Sequence, residues 1–534
     1  MTRLEAFIKK NGLPLLLLLI VLLGFSLRFW HLSEYLYFNL DEERDLFIIR
    51  KILIDHHPTL IGGSVPGGIY LGPGYFYITS IFAFISHMNP VGLGAVAATL
   101  GTLSVVLIFI VGKKLFGVKT GLLSALFYST SFLVVVYNKI YWPLVYAPIV
   151  TLLTYFCLTK IIIDKKISWM LVLSAVLIIG IQSDPATFSL ILLSLIAFLI
   201  YKVPLKNKYF FGAVALFIFS HLPLVIFDLR HDFLNTRAFL NFFSGSRQNS
   251  NGLDFQKAVK GVPMLFQNFS RIILTGQPHE VSQQISPCPA YVNLRKSNIL
   301  TPALLLSVTT IIFFLFRFFT KSSFGIKIVT IHLFIVIGGV ALYNLFFPGY
   351  TYEWFFYVFF PSFILILAYF FTESAKYIPK VLIALLVFII VALNIESVVH
   401  GTNDFGFKNK SKAIRWATEQ TKNKPFSLNS LGACFAWSGY RYLFWFYGSQ
   451  PTKSYMDYLY GGWLYPQDWI AKEHPDTVVV FVDRDFFPPG DSINEKYELS
   501  KKLYMEYKKH LITSRLFGRT EVLVVDNKDK WVSF

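Results

Sequence analysis

The stretch LPLLLLLIVLLGFSLRFW at residues 13–30 sets the class of this protein. A run of this length and apolarity suffices for a helix that crosses the hydrocarbon core of a bilayer. No small-residue cleavage site follows it, and Arg28, Phe29 and Trp30 form an interfacial anchor. We therefore predict a retained membrane helix rather than a signal peptide.

Similar apolar runs continue through most of the chain. Of its 534 residues 54% are hydrophobic and only 15% are charged, a composition typical of a polytopic membrane protein. We predict an all-α membrane domain of about eleven transmembrane helices. The predicted spans are 13–30, 92–112, 121–136, 144–163, 169–183, 187–201, 209–227, 298–316, 328–347, 356–372 and 380–395.

The basic residues predict the orientation of these spans. Alternate short loops are rich in lysine and arginine, whereas Lys139 is the one basic residue in the intervening short loops near 137–143, 184–186 and 348–355. The positive-inside rule then places the N-terminus in the cytoplasm. The net charge of +18 is thus mainly a topology signal, and no nucleic-acid partner is predicted. We predict a multi-pass protein of the plasma membrane whose C-terminal part is extracytoplasmic.

The non-spanning segments suggest two domains. The membrane domain, 1–395, includes a first external loop at 31–90 and an external amphipathic region at 228–297, where Pro263 is expected to kink a helix. Residues 396–534 are predicted to form a soluble extracytoplasmic α/β domain. It contains a helix at 412–421 and strands at 477–482 and 521–525.

An acidic cluster, NLDEERD at 39–45, follows the first span directly. Dense carboxylates at a membrane surface are candidates for catalysis or cation binding. The structural alternative is an acidic first turn of a helix at 42–54, with Asp41 as N-cap, because carboxylates complement the helix dipole.

Three segments in order carry a family resemblance: RFWHL at 28–32, LDEERD at 40–45 and GPGYFY at 72–77. Together with the predicted topology they resemble the opening of the C-type glycosyltransferase superfamily. Its members include protein O-mannosyltransferases and lipid A aminoarabinose transferases, which use lipid-linked sugar donors. The resemblance extends over residues 13–395.

The resemblance implies an inverting transfer of a sugar from a polyprenyl-phosphate donor to an extracytoplasmic glycan, lipid or protein. Asp41 aligns with the acidic position of the superfamily and is the expected general base. Glu42 aligns with the second acidic position and is expected to orient the site. Cationic side chains are expected to face the leaving phosphate.

Four external basic residues near membrane depth are candidates for binding that phosphate: Lys139, Arg28, Arg230 and His231. The alternative for each is a side chain that snorkels to the headgroups. Further substrate-binding candidates lie at external helix ends and aromatic boundaries: Tyr75, Tyr77, Tyr141, Trp142, Asp184 and Glu353. Asp184 precedes a proline and has a turn-forming alternative, whereas a carboxylate at the boundary position of Glu353 is costly unless it is paired or hydrated.

Metal-using members of the superfamily carry a carboxylate in the second external loop. Residues 137–143 contain none, so we predict no metal site and no cofactor, with a divalent cation not favoured. Rival interpretations are a transporter or flippase for a lipid or solute, and a non-catalytic envelope-assembly protein. Transporters place ionisable residues near the bilayer midplane, whereas the charges here cluster at the outer boundary.

Overall fold

A computed structural model describes residues 3–65, 67–245, 259, 261–277, 299–321, 323–346, 352–422, 424–431, 439–473, 475–483 and 495–532. Its helices up to residue 400 are Arg3–Phe29, Leu32–Tyr35, Leu40–Leu53, Gly74–Ile85, Pro90–Phe116, Val118–Thr130, Phe132–Tyr137, Ala147–Ile162, Trp169–Ile181, Phe188–Ile200, Lys208–Ser220, Leu222–Arg230, Leu234–Gly245, Gly261–Ile273, Thr301–Thr320, Phe324–Phe346, Phe360–Ser374 and Lys380–His400. Short 3₁₀ segments cover Pro143–Tyr146, Pro185–Thr187 and Glu353–Phe359, and Ser64–Val65 pairs antiparallel with Ile69–Tyr70.

The predicted helical membrane architecture is confirmed. Eight helices in the described part of the chain are long and apolar enough to cross a membrane. The other predicted spans correspond to the shorter helices Trp169–Ile181 and Phe188–Ile200 and to the pair Val118–Thr130 and Phe132–Tyr137. The chain is therefore a multi-pass membrane protein.

A break at Ser131 separates the helices Val118–Thr130 and Phe132–Tyr137. Two polar groups at this break have hydrogen-bond partners in distant helices. The Ser131 hydroxyl donates to the Ile272 carbonyl oxygen at 2.7 Å, and the Phe132 N–H donates to Asn394 Oδ1 at 2.8 Å. Unpaired backbone groups inside a membrane cost several kcal/mol. At the break, the Phe132 N–H is satisfied by the Asn394 side chain from a distant helix, so this backbone donor is not left unpaired.

The region predicted as 228–297 is described only in part. Residues 253–258 of the predicted amphipathic stretch lie outside the described residues, and the helix covers Gly261–Ile273. Pro263 lies within this helix. Because residues 253–258 and 260 lie outside the described residues, the predicted kink stays a prediction. The helix packs against Thr301–Thr320.

The C-terminal part contains a mixed sheet. Its strands lie in the order Lys453–Ser454, Ser427–Leu431, Thr477–Asp483, Thr520–Asp526 and Leu511–Phe517. The first three are parallel and the last two pair antiparallel. The accompanying helices are Phe407–Thr421, Tyr440–Phe446, Asp457–Tyr460 and Glu495–Lys509, with a 3₁₀ turn at Gln467–Trp469. A C-terminal sheet-containing domain is thus confirmed, whereas the boundary at residue 395 stays a prediction.

This C-terminal domain packs directly against the helix Leu40–Leu53, named here the acidic helix. The domain and the first loop therefore lie on the same side of the membrane, as an odd number of spans requires. The extracytoplasmic identity of that side stays a prediction.

Candidate active site

The acidic helix begins with a capping box. The Asn39 side chain accepts from the backbone N–H of Glu42, and Glu42 Oε2 accepts from the Asn39 N–H at 2.9 Å. This reciprocal pair satisfies two free amides of the first turn. The N-cap is therefore Asn39 rather than the predicted Asp41, because Asn39 has the extended backbone and the acceptor that a cap needs. Asp41 is left in the first turn with its side chain half-exposed.

A cavity of about 230 Å³ opens beside this first turn. At about 30 Å³ per liquid water, it has the volume of roughly eight water molecules, the scale of a small polar ligand rather than a long lipid. It brings together four of the predicted site residues: Asp41, Glu42, Trp142 and Asp184.

One wall of the cavity is aromatic. Trp142 and Trp354 line it together, with their rings 6.3 Å apart in an edge-to-face arrangement. Tyr352 stacks behind Trp354 at 4.4 Å. The cavity thus places carboxylates opposite flat apolar rings.

Among the described residues, Arg44 is the cationic side chain that lines this cavity. Its guanidinium contacts Asp41 Oδ1 at 2.9 Å and Asp45 Oδ1 at 2.7 Å, and so bridges two carboxylates of the same helix. Burial lowers the pKa of Arg44, but the charges of Asp45 and Asp41 outweigh burial, and the pKa is raised overall. Arg44 therefore stays charged beside the cavity.

Three carboxyl groups in the linings of the two cavities, those of Glu42, Asp45 and Asp184, have raised pKa values. Burial, with a further contribution from the Asp41 charge, raises the pKa of Glu42 to about 7. Burial raises the pKa of Asp45 to about 6 although Arg44 opposes the change, and burial also raises that of Asp184 to about 6. Carboxyl groups tuned towards neutral pH are typical of acid–base sites, although structural networks produce them as well.

A second cavity of about 20 Å³ lies on the interior side of the acidic helix. It brings Tyr75 and Tyr141 together with Glu42 and Asp45, so Glu42 lines both cavities. The Tyr141 hydroxyl lies 2.7 Å from that of Tyr146. The volume is sufficient for a single water molecule.

Asp184 has a local structural task as well. It precedes the 3₁₀ turn Pro185–Thr187, and its Oδ1 accepts from the Ala186 N–H at 2.8 Å. The turn-forming alternative therefore describes its backbone setting, while its side chain also borders the cavity.

Two predicted phosphate ligands are buried and lie outside the linings of both cavities. Arg28 is 0% exposed and donates to Asn138 Oδ1 at 3.0 Å and to backbone carbonyl oxygens of Gly24, Ser129 and Tyr128. Lys139 donates to the Trp30 carbonyl oxygen at 2.7 Å, and burial is the main cause that lowers its pKa to about 7. Both arrangements favour packing roles over phosphate binding.

The other predicted residues lie outside the linings of the two cavities. Arg230 and His231 are exposed, and the Tyr77 hydroxyl donates to the Thr59 carbonyl oxygen at 2.5 Å. Glu353 is buried in an ion pair with Arg271 and accepts from the Tyr137 hydroxyl at 2.9 Å. Pairing with Arg271 is what makes this buried carboxylate tolerable.

Sequence reasoning missed Arg44, Trp354 and Asp45 as residues of these cavities. For Arg44 a signal existed, since it lies three residues after Asp41, a spacing at which side chains on a helix surface form ion pairs. Trp354 is adjacent to the predicted Glu353. Arg271 lies in the helix Gly261–Ile273, for which the sequence prediction considered only the apolar face.

Comparisons with known proteins agree with this architecture. Residues 66–227 match the family model described as dolichyl-phosphate-mannose-protein mannosyltransferase. A search of the curated proteins found no match.

In the described part of the chain, no group of three His, Cys, Asp or Glu side chains is arranged to hold a metal ion.

Two solved structures share the fold over most of the chain. The crystal structure of ArnT from Cupriavidus metallidurans bound to undecaprenyl phosphate has a TM-score of 0.56 and 9% identity, and the match covers 96% of this chain and 98% of that one. The oligosaccharyltransferase of Archaeoglobus fulgidus, in complex with Zn and sulfate, has a TM-score of 0.50 and 13% identity, over 87% of this chain and 67% of that one. The resemblance to the C-type membrane glycosyltransferase superfamily is therefore confirmed: the chain has the fold of these enzymes, and a mannosyltransferase family model matches part of its membrane region.

Proposed function

We propose that this protein is an inverting glycosyltransferase that moves a sugar from a polyprenyl-phosphate-linked donor to an extracytoplasmic acceptor. The observation that carries the proposal is the cavity of about 230 Å³, where Asp41, Glu42 and Asp184 meet one cation and two tryptophans. The shared fold with membrane glycosyltransferases supports the same conclusion. The acceptor classes are a cell-envelope glycan, a lipid or a protein.

Asp41 is the proposed general base. Its side chain is 49% exposed, so an acceptor hydroxyl can approach it from the cavity. As that hydroxyl oxygen bonds to the anomeric carbon, its proton passes to Asp41. The bond from the anomeric carbon to the phosphate oxygen breaks at the same time, and its electron pair leaves with the polyprenyl phosphate. Attack opposite to the leaving group inverts the anomeric centre.

Arg44 is the proposed cation for the leaving phosphate. It borders the cavity and is held in place by Asp41 and Asp45. A preorganised cation of this kind stabilises negative charge that develops in the transition state. The exposed Arg230 and His231 stay candidates for a phosphate bound farther along the membrane boundary.

Glu42 is the proposed orienting residue. One of its oxygens holds the helix cap, and its side chain borders both cavities. Trp142 and Trp354 are the proposed aromatic contacts of the sugar ring, and Tyr75 and Tyr141 line the smaller cavity with Glu42. The reaction is proposed to proceed without a metal ion.

The test uses membranes that contain the full-length protein and a panel of labelled polyprenyl-phosphate sugars. Release of free polyprenyl phosphate and transfer of label to polymer, lipid or protein are followed for the wild type, Asp41→Asn and Asp55→Asn. Asp55 lies just beyond the far end of the acidic helix and pairs with Arg50 at 2.7 Å, so it is a matched control. Turnover that only Asp41→Asn abolishes supports the proposal. Absence of donor turnover by the wild type favours a transporter or an assembly protein.

A further inference from the structure

The C-terminal domain touches the acidic helix at its cap. Lys410, on the helix Phe407–Thr421, donates to the Phe38 carbonyl oxygen at 2.6 Å and to Asn39 Oδ1 at 2.9 Å. Lys410 is 6% exposed, so its charge is withdrawn from water at this contact. The same Asn39 side chain caps the Glu42 amide. A residue of the C-terminal domain thus belongs to the hydrogen-bond network that starts the acidic helix.

A second contact from the same domain lies beside the cap. The backbone N–H of Tyr442 donates to Glu43 Oε1 at 2.7 Å. Gly439 has φ +69°, and a Cβ there would lie 2.7 Å from the Asn39 carbonyl oxygen. Only glycine allows so close an approach in this backbone conformation. The segment before Tyr442 is therefore fitted closely to the cap.

Charges across this interface balance. Glu43 faces Lys410 and Arg441, and Arg441 also contacts Asp457 Oδ1 at 2.9 Å. Glu43, Lys410 and Arg441 are all buried. Removing one member of a buried charged network leaves the opposite charge poorly compensated. Such a network resists displacement of the acidic helix relative to the C-terminal domain.

We propose that Lys410 is a positioning residue, through which the C-terminal domain fixes the first turn of the acidic helix so that Asp41 and Glu42 face the cavity. Lys410 is not itself in the lining of either cavity; it acts through Asn39, which lines the larger cavity, and through Phe38, which lines the smaller one. The catalytic consequence rests on the function proposed above. The positioning itself is a structural claim that can be tested without any sugar donor.

The activity arm compares full-length Lys410→Met, Lys410→Arg and Lys412→Met. Lys412 is exposed on the same helix and serves as the matched control. A displacement of about 1 Å at a reacting group can reduce the rate about 100-fold. We expect Lys410→Met to lower kcat roughly 10- to 100-fold with the donor KM within about threefold, and Lys410→Arg to restore most of the rate. A rise in KM with unchanged kcat would overturn the positioning role.

The structural arm measures hydrogen exchange of backbone amides 40–45 in the detergent-solubilised full-length protein. We expect exchange there to be at least about tenfold faster in Lys410→Met, with the helix Lys380–His400 unchanged as an internal reference. If Lys410→Met does not fold, Gly439→Ala displaces the same cap from the other contact. Unchanged exchange at 40–45 in the folded variant overturns the proposal. If the wild type transfers no sugar, the proposed function fails while this arm still decides the positioning.

Discussion

Replacement of Asp41 by asparagine separates catalysis from stability. The change keeps the size of the side chain and removes its charge. A positioned general base contributes about 10²- to 10⁴-fold to a rate, which corresponds to roughly 3–5 kcal/mol of barrier at about 1.36 kcal/mol per factor of ten. We therefore expect kcat for donor turnover to fall by that factor.

The stability cost of the same change is small. Asp41 pairs with Arg44 at 2.9 Å, but its side chain is 49% exposed. Exposed ion pairs contribute about 0–1 kcal/mol. Arg44 also keeps its contact with Asp45. The thermal midpoint of Asp41→Asn in detergent is thus expected to stay close to that of the wild type.

The pH profile gives a second, independent signature. The Asp41 charge is one of the causes that raise the pKa of Glu42 to about 7, after burial. Removing a neighbouring negative charge makes Glu42 easier to deprotonate, so its pKa falls. We expect the acidic limb of the residual activity to move to lower pH in Asp41→Asn.

The assay is donor turnover by purified protein between pH 5 and 9, with Asp55→Asn as the control that keeps the wild-type rate and profile. The reasoning is refuted if Asp41→Asn loses less than about threefold in kcat, or if its loss of rate is accompanied by unfolding. In the first case Glu42 or Asp184 becomes the candidate base, because both carboxyl groups border the same cavity.

Other outcomes follow from the same contacts. Glu353→Gln removes the carboxylate charge beside the buried Arg271. Breaking a buried ion pair lowers the free energy of unfolding by about 3–5 kcal/mol, so the thermal midpoint should fall. An unchanged midpoint would contradict this. Trp142→Ala should raise the donor KM about fivefold with kcat nearly constant, because an aromatic contact contributes about 1 kcal/mol. Treatment with EDTA should leave turnover unchanged, and a loss restored by Mg²⁺ or Mn²⁺ would show a metal requirement. Since folding raises the pKa of Glu42 from 4.5 to about 7, the Glu42 contribution to stability is greatest below pH 4.5 and declines up to about pH 7. Glu42→Gln should flatten that part of the pH–stability curve, as measured by unfolding.

The membrane fold could be predicted from the sequence because its cause is local. A helix that crosses hydrocarbon satisfies its own backbone and needs only a sufficiently long apolar run. The strands Thr477–Asp483 and Thr520–Asp526 could be predicted for a similar reason, because short β-branched runs bounded by turn residues indicate buried strands. The helix break at Ser131 could not be predicted, because its hydrogen-bond partners Ile272 and Asn394 lie far away in the sequence.

The cations of the site were harder to predict than its acids. The sequence prediction selected external basic residues near membrane depth, Arg28 and Lys139 among them. Whether such a side chain faces a ligand depends on its acceptors, and Arg28 finds them in Tyr128, Ser129 and Asn138, about a hundred residues away. These long-range contacts do not appear in any local pattern. An arginine with several backbone acceptors is satisfied without a phosphate.

The acidic cluster itself is divided by helix geometry. Successive residues of a helix are rotated by about 100°, so Asp41 and Asp45 share one face and Glu43 lies on the opposite one. Glu43 accordingly meets Tyr442 of the C-terminal domain, whereas Arg44 bridges Asp41 and Asp45. One short run of carboxylates thus supplies Asp41 to the cavity of about 230 Å³, Asp45 to the cavity of about 20 Å³ and Glu43 to the contact with the C-terminal domain. The structural and the catalytic interpretations of the cluster therefore apply to different members of it: Glu43 contacts the C-terminal domain, and Asp41 is the proposed general base.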